Sequence, residues 1–558
     1  MWRVTTTVEP AASDRRVGLG RTVDGGPLPR AAGRLTPLRG GDGRTRLWGW
    51  IAPLVVTAIG GVLRFWNLGR PHDVLFDETY YAKDAWSLLE YGYVRETVQK
   101  ADARMLRGEA DGLFTSDPSF YVHPDLGKWM IAVGEWLFGL DPFGWRFSSA
   151  LVGTLTILVL ARLVLRLTGS VMLGSLAGLL LAVDGLHFVM SRMALLDVLM
   201  TFFVVCAVAC LVADRDWGRR RLARVLESGA AGARAGPVRA LMFRPWRLAA
   251  GACFGLAVGT KWSAVFALAG FGLLVWAWDS SARKAIGVRR PVLKAAVADG
   301  VPAFFSLFVT ALIVYVATWS TWFVHAGEYE SAYAADWGPY AQTDASGLAE
   351  AEQSLRSLWN YHEKIWDFHT GQGIRDATHP YSSHPAGWPI INRPVGIAVE
   401  SEIPAGEQGC PDTARDCIRQ ILAIGTPSLW WGGALALLVS VGLWIGGRDW
   451  RYGLALVGVL SSWLPWLRYA DRPLFYFYAV AMIPFTIVAI TLVIGRLLGP
   501  PAGPGVPEPS RRRMWAVVTA GVFVILVVAN FVFYYPIYTN GLLTHEGWLD
   551  RIWFTRWI

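Results

Sequence analysis

Charge is what this sequence has least of. Only 17% of its 558 residues are Asp, Glu, Lys or Arg, against about 25% in soluble domains, so an ordinary soluble chain is excluded. No repeat, coiled coil or separate soluble domain is visible. Residues 1–46 contain nine Arg, no Lys and no apolar run of signal-peptide length. They read as a disordered cytoplasmic tail rather than a cleaved leader. Cysteine is sparse at five. Cys206 and Cys210 sit one turn apart in one apolar run and Cys253 in another, where packing is their reading. Cys410 and Cys417 lie in a polar loop and are the disulfide candidates if that loop faces an oxidising compartment. Metal-ligand spacing is missing too: His362, His369, His379 and His384 share a loop, but their intervals match no ligand set, and no metal is expected.

What is present is apolar: 53% hydrophobic residues and 29 Trp, the composition of a polytopic all-α membrane protein with aromatic belts at its interfaces. The net charge of +9 is concentrated in short linkers between apolar runs, a membrane-topology signal rather than a nucleic-acid footprint. Segment 67–142 holds thirteen acids against seven bases, segment 319–425 fourteen against six, and segment 214–247 nine Arg against three acids. The positive-inside rule therefore places both acidic segments outside. Residues 248–278 would make one helix about 46 Å long, too long for a single crossing. Both flanks are basic, so this run folds into a hairpin turning at Gly259–Thr260–Lys261–Trp262. The same parity folds 171–213 at Asp184–Gly185–Leu186–His187 through Ser191–Arg192, and 452–495 at Arg468–Pro473. About eleven spans result, with a cytoplasmic N-terminus and an outside C-terminus. The expected organisation is a tail (1–46), an N-terminal catalytic transmembrane module (47–318) including outer loop 67–142, a large outer loop (319–425), and a C-terminal four-helix module with an outer tail (426–558). Gly499–Pro509 reads as a Pro/Gly-rich cytoplasmic linker.

Charges at membrane depth are costly and usually functional. Here Asp77, Glu78, His123, Lys128, Arg146, Asp184, His187, Arg192, Asp197, Lys261, Arg468, Asp471 and Arg472 all map to outer span ends or outer loops. A transporter of polyprenyl-linked precursors would keep such groups near the midplane; a one-sided active site fits better. Each group also has a plainer role. Asp77 suits an N-cap, which is compatible with catalysis because a helix N-terminus favours the ionised carboxylate. Arg146 and Arg192 could snorkel, Asp197 could pair with Arg192, and His123 and Lys128 could sit on a surface turn. Lys261 is harder to assign to structure, since a turn between two short spans needs no cation.

The segments PHDVLFDETYYAKDA, HPDLGKW, WRFSSALVGTLTI, SRMALLDVLMTFF, GLAVGTKWSAVF, HPYSSHPAGWP and PSLWWGG occur in the order found in protein O-mannosyltransferases. Over residues 48–540 the chain resembles the bacterial, actinobacterial-type branch of these GT-C glycosyltransferases. It lacks the β-trefoil (MIR) insertion of eukaryotic relatives in 319–425, and Asp125 replaces the second Pro of their HPPLGK-like motif. The resemblance implies transfer of mannose from polyprenyl-phosphate mannose to Ser or Thr of an unfolded or extended polypeptide, reached outside the membrane as it leaves the protein-secretion channel. It implies Asp77 as catalytic base, Glu78 as its support or an acceptor-positioning group, and Lys261 and Arg146 at the donor phosphate. Arg192, Asp197, His123 and Lys128 carry over as supporting members, and His379, Tyr381 and Trp388 as part of a loop covering the site. The chemistry asks for the same parts: a hydroxyl needs a positioned base, and a departing phosphate can be stabilised by Lys and Arg without metal. One base and no second nucleophile favour direct displacement with inversion. The nearest rival keeps the fold and glycosylates a lipid or cell-wall glycan.

Overall fold

The computed structural model describes residues 43–227, 241–332, 346–499 and 510–558. The expected N-terminal tail lies almost entirely outside the described residues, as does the 499–509 linker. Helix α1 (Gly43–Phe65) carries Pro53; membrane helices tolerate such a break when a hydroxyl re-engages the backbone, and Thr57 donates to the Pro53 carbonyl at 2.8 Å. The expected outer loop is not irregular. It holds α2 (Glu78–Tyr91), a two-stranded antiparallel sheet of β1 (Arg95–Thr97) and β2 (Phe114–Pro118), and α3 (Leu126–Phe138). Helix α4 (Pro142–Thr168) starts where Asp141 accepts from the Gly144 amide at 2.7 Å and Pro142 supplies a fixed φ at the first turn. Close approach of α3 to α4 depends on Gly134, where any Cβ would lie 2.2 Å from the Gly144 carbonyl oxygen.

The expected hairpins are present. Helix α5 (Val171–Ala182) turns through Gly185–Met190 into α6 (Leu196–Glu227), and α7 (Pro245–Thr260) turns through Lys261–Ser263 into α8 (Ala264–Ala285). Helix α9 (Gly300–Ala317) contains a π-helical stretch, Phe304–Val309. The large loop is again built of elements: α10 (Ser320–Ala332), α11 (Leu348–Thr370), and a hairpin of β3 (Val395–Pro404) and β4 (Asp416–Ala423), closed by a Cys410–Cys417 disulfide with Cα atoms 5.8 Å apart. Four helices follow: α12 (Pro427–Ile445), α13 (Trp450–Trp463), α14 (Ile483–Leu498) and α15 (Arg511–Tyr538). The third hairpin's turn is wider than expected, with two 3₁₀ segments between α13 and α14.

Seven of these helices are long and apolar enough to cross a membrane, and Val171–Ala182 and Ile483–Leu498 are shorter apolar ones. With α7 and α13 they make eleven candidate spans among the described residues. The chain after α15 forms β5 (Leu542–Thr544), which pairs antiparallel with β4 through Cys417↔Thr544 and Arg419↔Leu542. Both ends of the four-helix module thus lie in one three-stranded sheet on one face, so the module crosses an even number of times.

Candidate active site

The loop after α1 is held by a buried ion pair. Arg146 on α4 donates Nε–H and one Nη2–H to the two Glu78 oxygens at 2.8 Å each. Its other three N–H groups reach the carbonyls of Leu68 (3.3 Å), Pro71 (3.0 Å) and Asp73 (2.8 Å). Glu78 also accepts from the Leu75 and Ala194 amides at 2.9 and 3.0 Å. Both side chains are fully buried. All five guanidinium protons are used, so the expectation that Arg146 binds a donor phosphate is corrected: it staples the loop to α4. Glu78 is likewise fully engaged and supports its neighbour rather than touching an acceptor. Arg192 is also turned towards structure, through Nη1 and Nη2 alone. It donates to the carbonyls of Arg64 (2.8 Å), Trp66 (2.7 Å) and Asn67 (3.0 Å), satisfying the end of α1.

Asp77 differs from its neighbour. It occupies the N-cap position of α2, where its carbonyl accepts from the Tyr80 and Tyr81 amides, but its side chain makes no capping bond. Among the described residues its carboxylate accepts no hydrogen bond. Burial pushes it up to about 6, against a downward pull from Lys261 and an upward one from Asp197. Its aim is set by Phe76, whose φ of 50° lies in the left-handed region, sparsely occupied by bulky residues. The Phe76 ring meets Phe475, Phe477 and His379 edge-on at 5.4, 5.5 and 6.0 Å.

Next to Asp77 opens a cavity of ≈ 650 Å³. Its deep walls are apolar, from Val265, Phe266 and Leu268 on α8 and Phe308 and Leu312 on α9; its polar end carries Lys261, Arg472, His123, His369, His379 and Tyr478. Phe308 lies in the π-helical stretch, a distortion common at functional sites. Lys261, in the α7–α8 turn as expected, donates to both Asp197 oxygens at 2.9 Å and stands 4.4 Å above the Tyr478 ring. Asp197 therefore pairs with Lys261, not Arg192. Arg472 donates to the His369 carbonyl at 3.3 Å, and its Nε is buried without a partner. His123 stacks on His369 at 5.6 Å. Burial holds His369 down at about 4 and His123 well below the usual imidazole range, with the nearby cations adding to the effect. Both are neutral at neutral pH, which leaves Lys261 and Arg472 as the cavity's charges.

The other expected residues surround this centre. Lys128 is buried, 3.4 Å from Asp84 and 3.7 Å from Asp125, under the Tyr121 ring at 3.2 Å, and does not line the cavity. Asp125 accepts from Thr321 of α10 at 2.6 Å, so the residue that departs from the family motif ties the α3 turn to the large loop. Trp388 is fully buried behind Tyr478 and Trp466, and Tyr381 packs over Gly396; neither lines the cavity. His362 bonds to Tyr315, which also accepts from Trp262, docking α11 on the α7–α8 turn. Arg472, His369 and Tyr478 belong to the cavity but were not among the expected site residues. Arg472 had a signal, a charge in a hairpin turn. His369 had only its place among four His in the large loop, and Tyr478 had no signal. Among the described residues no group of three or more His, Cys, Asp or Glu is arranged to hold a metal ion.

Helices spanning a membrane, with a cavity at one end that carries two cations, one of them, Lys261, also acting on the Asp77 carboxylate beside it, define a multi-pass membrane glycosyltransferase of the GT-C fold. The Saccharomyces cerevisiae protein O-mannosyltransferase Pmt1-Pmt2 complex bound to the sugar donor shares that fold, with a TM-score of 0.63 at 14% identity over 95% of this chain and 94% of that one. Residues 54–285 match the family model described as dolichyl-phosphate-mannose-protein mannosyltransferase, and residues 354–557 the C-terminal four TMM region of protein-O-mannosyltransferase. A polyprenol-phosphate-mannose–protein mannosyltransferase of Mycobacterium tuberculosis is 36% identical over 94% of this chain and 95% of its own length. One of Corynebacterium glutamicum is 32% identical over 92% and 93%. The chain belongs to the protein mannosyltransferase family.

Proposed function

We propose that this protein transfers mannose from polyprenyl-phosphate mannose to Ser or Thr hydroxyls of extended polypeptides on the extracytoplasmic side, with inversion and without a metal. The observation that carries the reading is the Asp77 carboxylate, free of hydrogen bonds among the described residues and beside a cavity that is apolar at depth and cationic at its polar end. The prenyl chain enters along α8 and α9, and the phosphate lies between Lys261 and Arg472. Lys261 spends two of its three protons on Asp197 and keeps one for the phosphate. Asp77 takes the acceptor hydroxyl's proton as the oxygen attacks the sugar's anomeric carbon. The bond from that carbon to the phosphate oxygen breaks, and the lipid phosphate leaves with the electron pair, stabilised by the two cations. Glu78 and Arg146 act by holding the loop that aims Asp77. The disulfide in the large loop supports an oxidising, extracytoplasmic face, where acceptors leave the secretion channel.

The test is purified protein with defined donor and a Thr-containing peptide, read by mass spectrometry. Asp77→Asn should lower transfer by roughly 10²- to 10⁴-fold, the range of general-base catalysis, while donor still binds. Transfer near the wild-type rate would remove Asp77 from the mechanism. Label appearing in a lipid-extractable fraction instead of the peptide would give the acceptor role to a lipid or glycan.

A further inference from the structure

The Asp77 cavity is not the largest space in the molecule. A groove of ≈ 1230 Å³ lies at the other end of the helices, between α5 and α14 on one side and α15 on the other. Its position follows from the chain: α14 begins just after Tyr478, which lines the Asp77 cavity, and the groove is lined by its far end, Leu492 to Gly499. It therefore opens on the opposite membrane face. Helix α15 is the least embedded of the candidate spans, with 11% of its apolar window buried inside the protein. Leu173, Leu176, Leu492 and Val524 make the groove's walls apolar.

Its polar rim is cationic. Three arginines line it. Arg451 is neutralised by Asp449, to which it donates from Nε at 2.9 Å and Nη2 at 2.6 Å. Among the described residues Arg496 and Arg513 have no carboxylate partner, and neither guanidinium makes a hydrogen bond or an ion pair. Two cations with no carboxylate partner among the described residues, where an apolar groove meets the membrane surface, complement a ligand with apolar chains and a negative headgroup. Basic pockets between helices on a cytoplasmic face select such lipids. The groove also exceeds the roughly 300–1,000 Å³ of small-molecule pockets.

We propose that this groove is a binding site for one anionic phospholipid, with acyl chains between α5, α14 and α15 and its phosphate between Arg496 and Arg513. The site is separate from the donor cavity by face and by residues. It fills the gap beside α15 that the described residues leave open.

The full-length protein is reconstituted with equimolar phosphatidylglycerol, phosphatidylethanolamine and polyprenyl phosphate, then extracted into detergent, and the retained lipid is identified by native mass spectrometry. Wild type should retain one phosphatidylglycerol in preference to phosphatidylethanolamine, and any polyprenyl phosphate held in the Asp77 cavity should be unaffected by the groove variants. Arg496→Gln with Arg513→Gln should lower the phosphatidylglycerol-to-phosphatidylethanolamine ratio about thirtyfold, two interfacial cations at several-fold each. Gly521→Phe, at a groove position where an added Cβ meets no protein atom within 4 Å, should reduce retention of the lipid with the charges intact. Equal retention of phosphatidylglycerol and phosphatidylethanolamine by wild type, retention of polyprenyl phosphate that the Arg496→Gln and Arg513→Gln pair abolishes, or undiminished phosphatidylglycerol in both variants would overturn the proposal.

Discussion

Two adjacent carboxylates, Asp77 and Glu78, meet opposite fates. Glu78 faces Arg146 and two amides and is consumed by structure; the side chain of Asp77, one residue earlier, makes no capping bond and accepts no hydrogen bond among the described residues. A base must be ionised to act, and burial lifts Asp77 to about 6. Transfer, measured as kcat/KM against pH with free enzyme, should therefore rise through pH 6 to a plateau, and Asp77→Asn should abolish that limb. The cations belong to a different step. Lys261→Ala and Arg472→Gln should each weaken donor use by roughly ten- to a hundredfold, the loss of one charge-assisted hydrogen bond. Donor-concentration curves would show it; an unchanged donor dependence would take the residue out of the phosphate site. Lys261 stood out in the sequence because a turn between two short spans needs no cation, whereas Asp77 read equally well as an N-cap and was singled out by the family resemblance. The partners of Glu78 and Asp197 were not legible. The Arg146–Glu78 pair spans 68 positions and Lys261–Asp197 spans 64, and nothing in a hydropathy pattern marks which of several outer-face charges will meet.

At the scale of elements, the Arg146–Glu78 pair is the joint between loop and membrane helix. Arg146→Met leaves a buried carboxylate without its cation, and should destabilise the protein by about 3–5 kcal/mol. The readout is thermal unfolding in detergent. Pairing it with Glu78→Leu should recover part of that loss, because the worst state is one buried charge alone. Hairpins were readable from sequence for a simple reason: basic flanks at both ends of an over-long apolar run force an even number of crossings. The sheets were not readable. β1, β2 and β5 are three to five residues long, too short for alternation to stand out, and β5 pairs only with a strand from the other side of a four-helix module.

For the molecule as a whole, that pairing fixes relative sidedness. The β3–β4–β5 sheet, the Lys261 turn and the loop carrying Asp77 share a face, and the Arg496–Arg513 groove lies on the other. Cysteine introduced as S401C, on an exposed stretch of β3, should react with a membrane-impermeant thiol reagent in intact cells, while R512C should react only after the membrane is opened. Labelling of R512C alone in intact cells would invert the proposed orientation.

The Phe76 contacts bear on when this protein becomes active. Asp77 enters the membrane with the first part of the chain, but the rings that hold Phe76 in its unfavourable backbone conformation, Phe475 and Phe477, are synthesised only after the large loop and half of the C-terminal helices. An incomplete chain still leaving the ribosome therefore carries its carboxylate without the clamp that aims it. Under the proposed mechanism, transfer begins only once the segment carrying Phe475 and Phe477 has packed against Phe76.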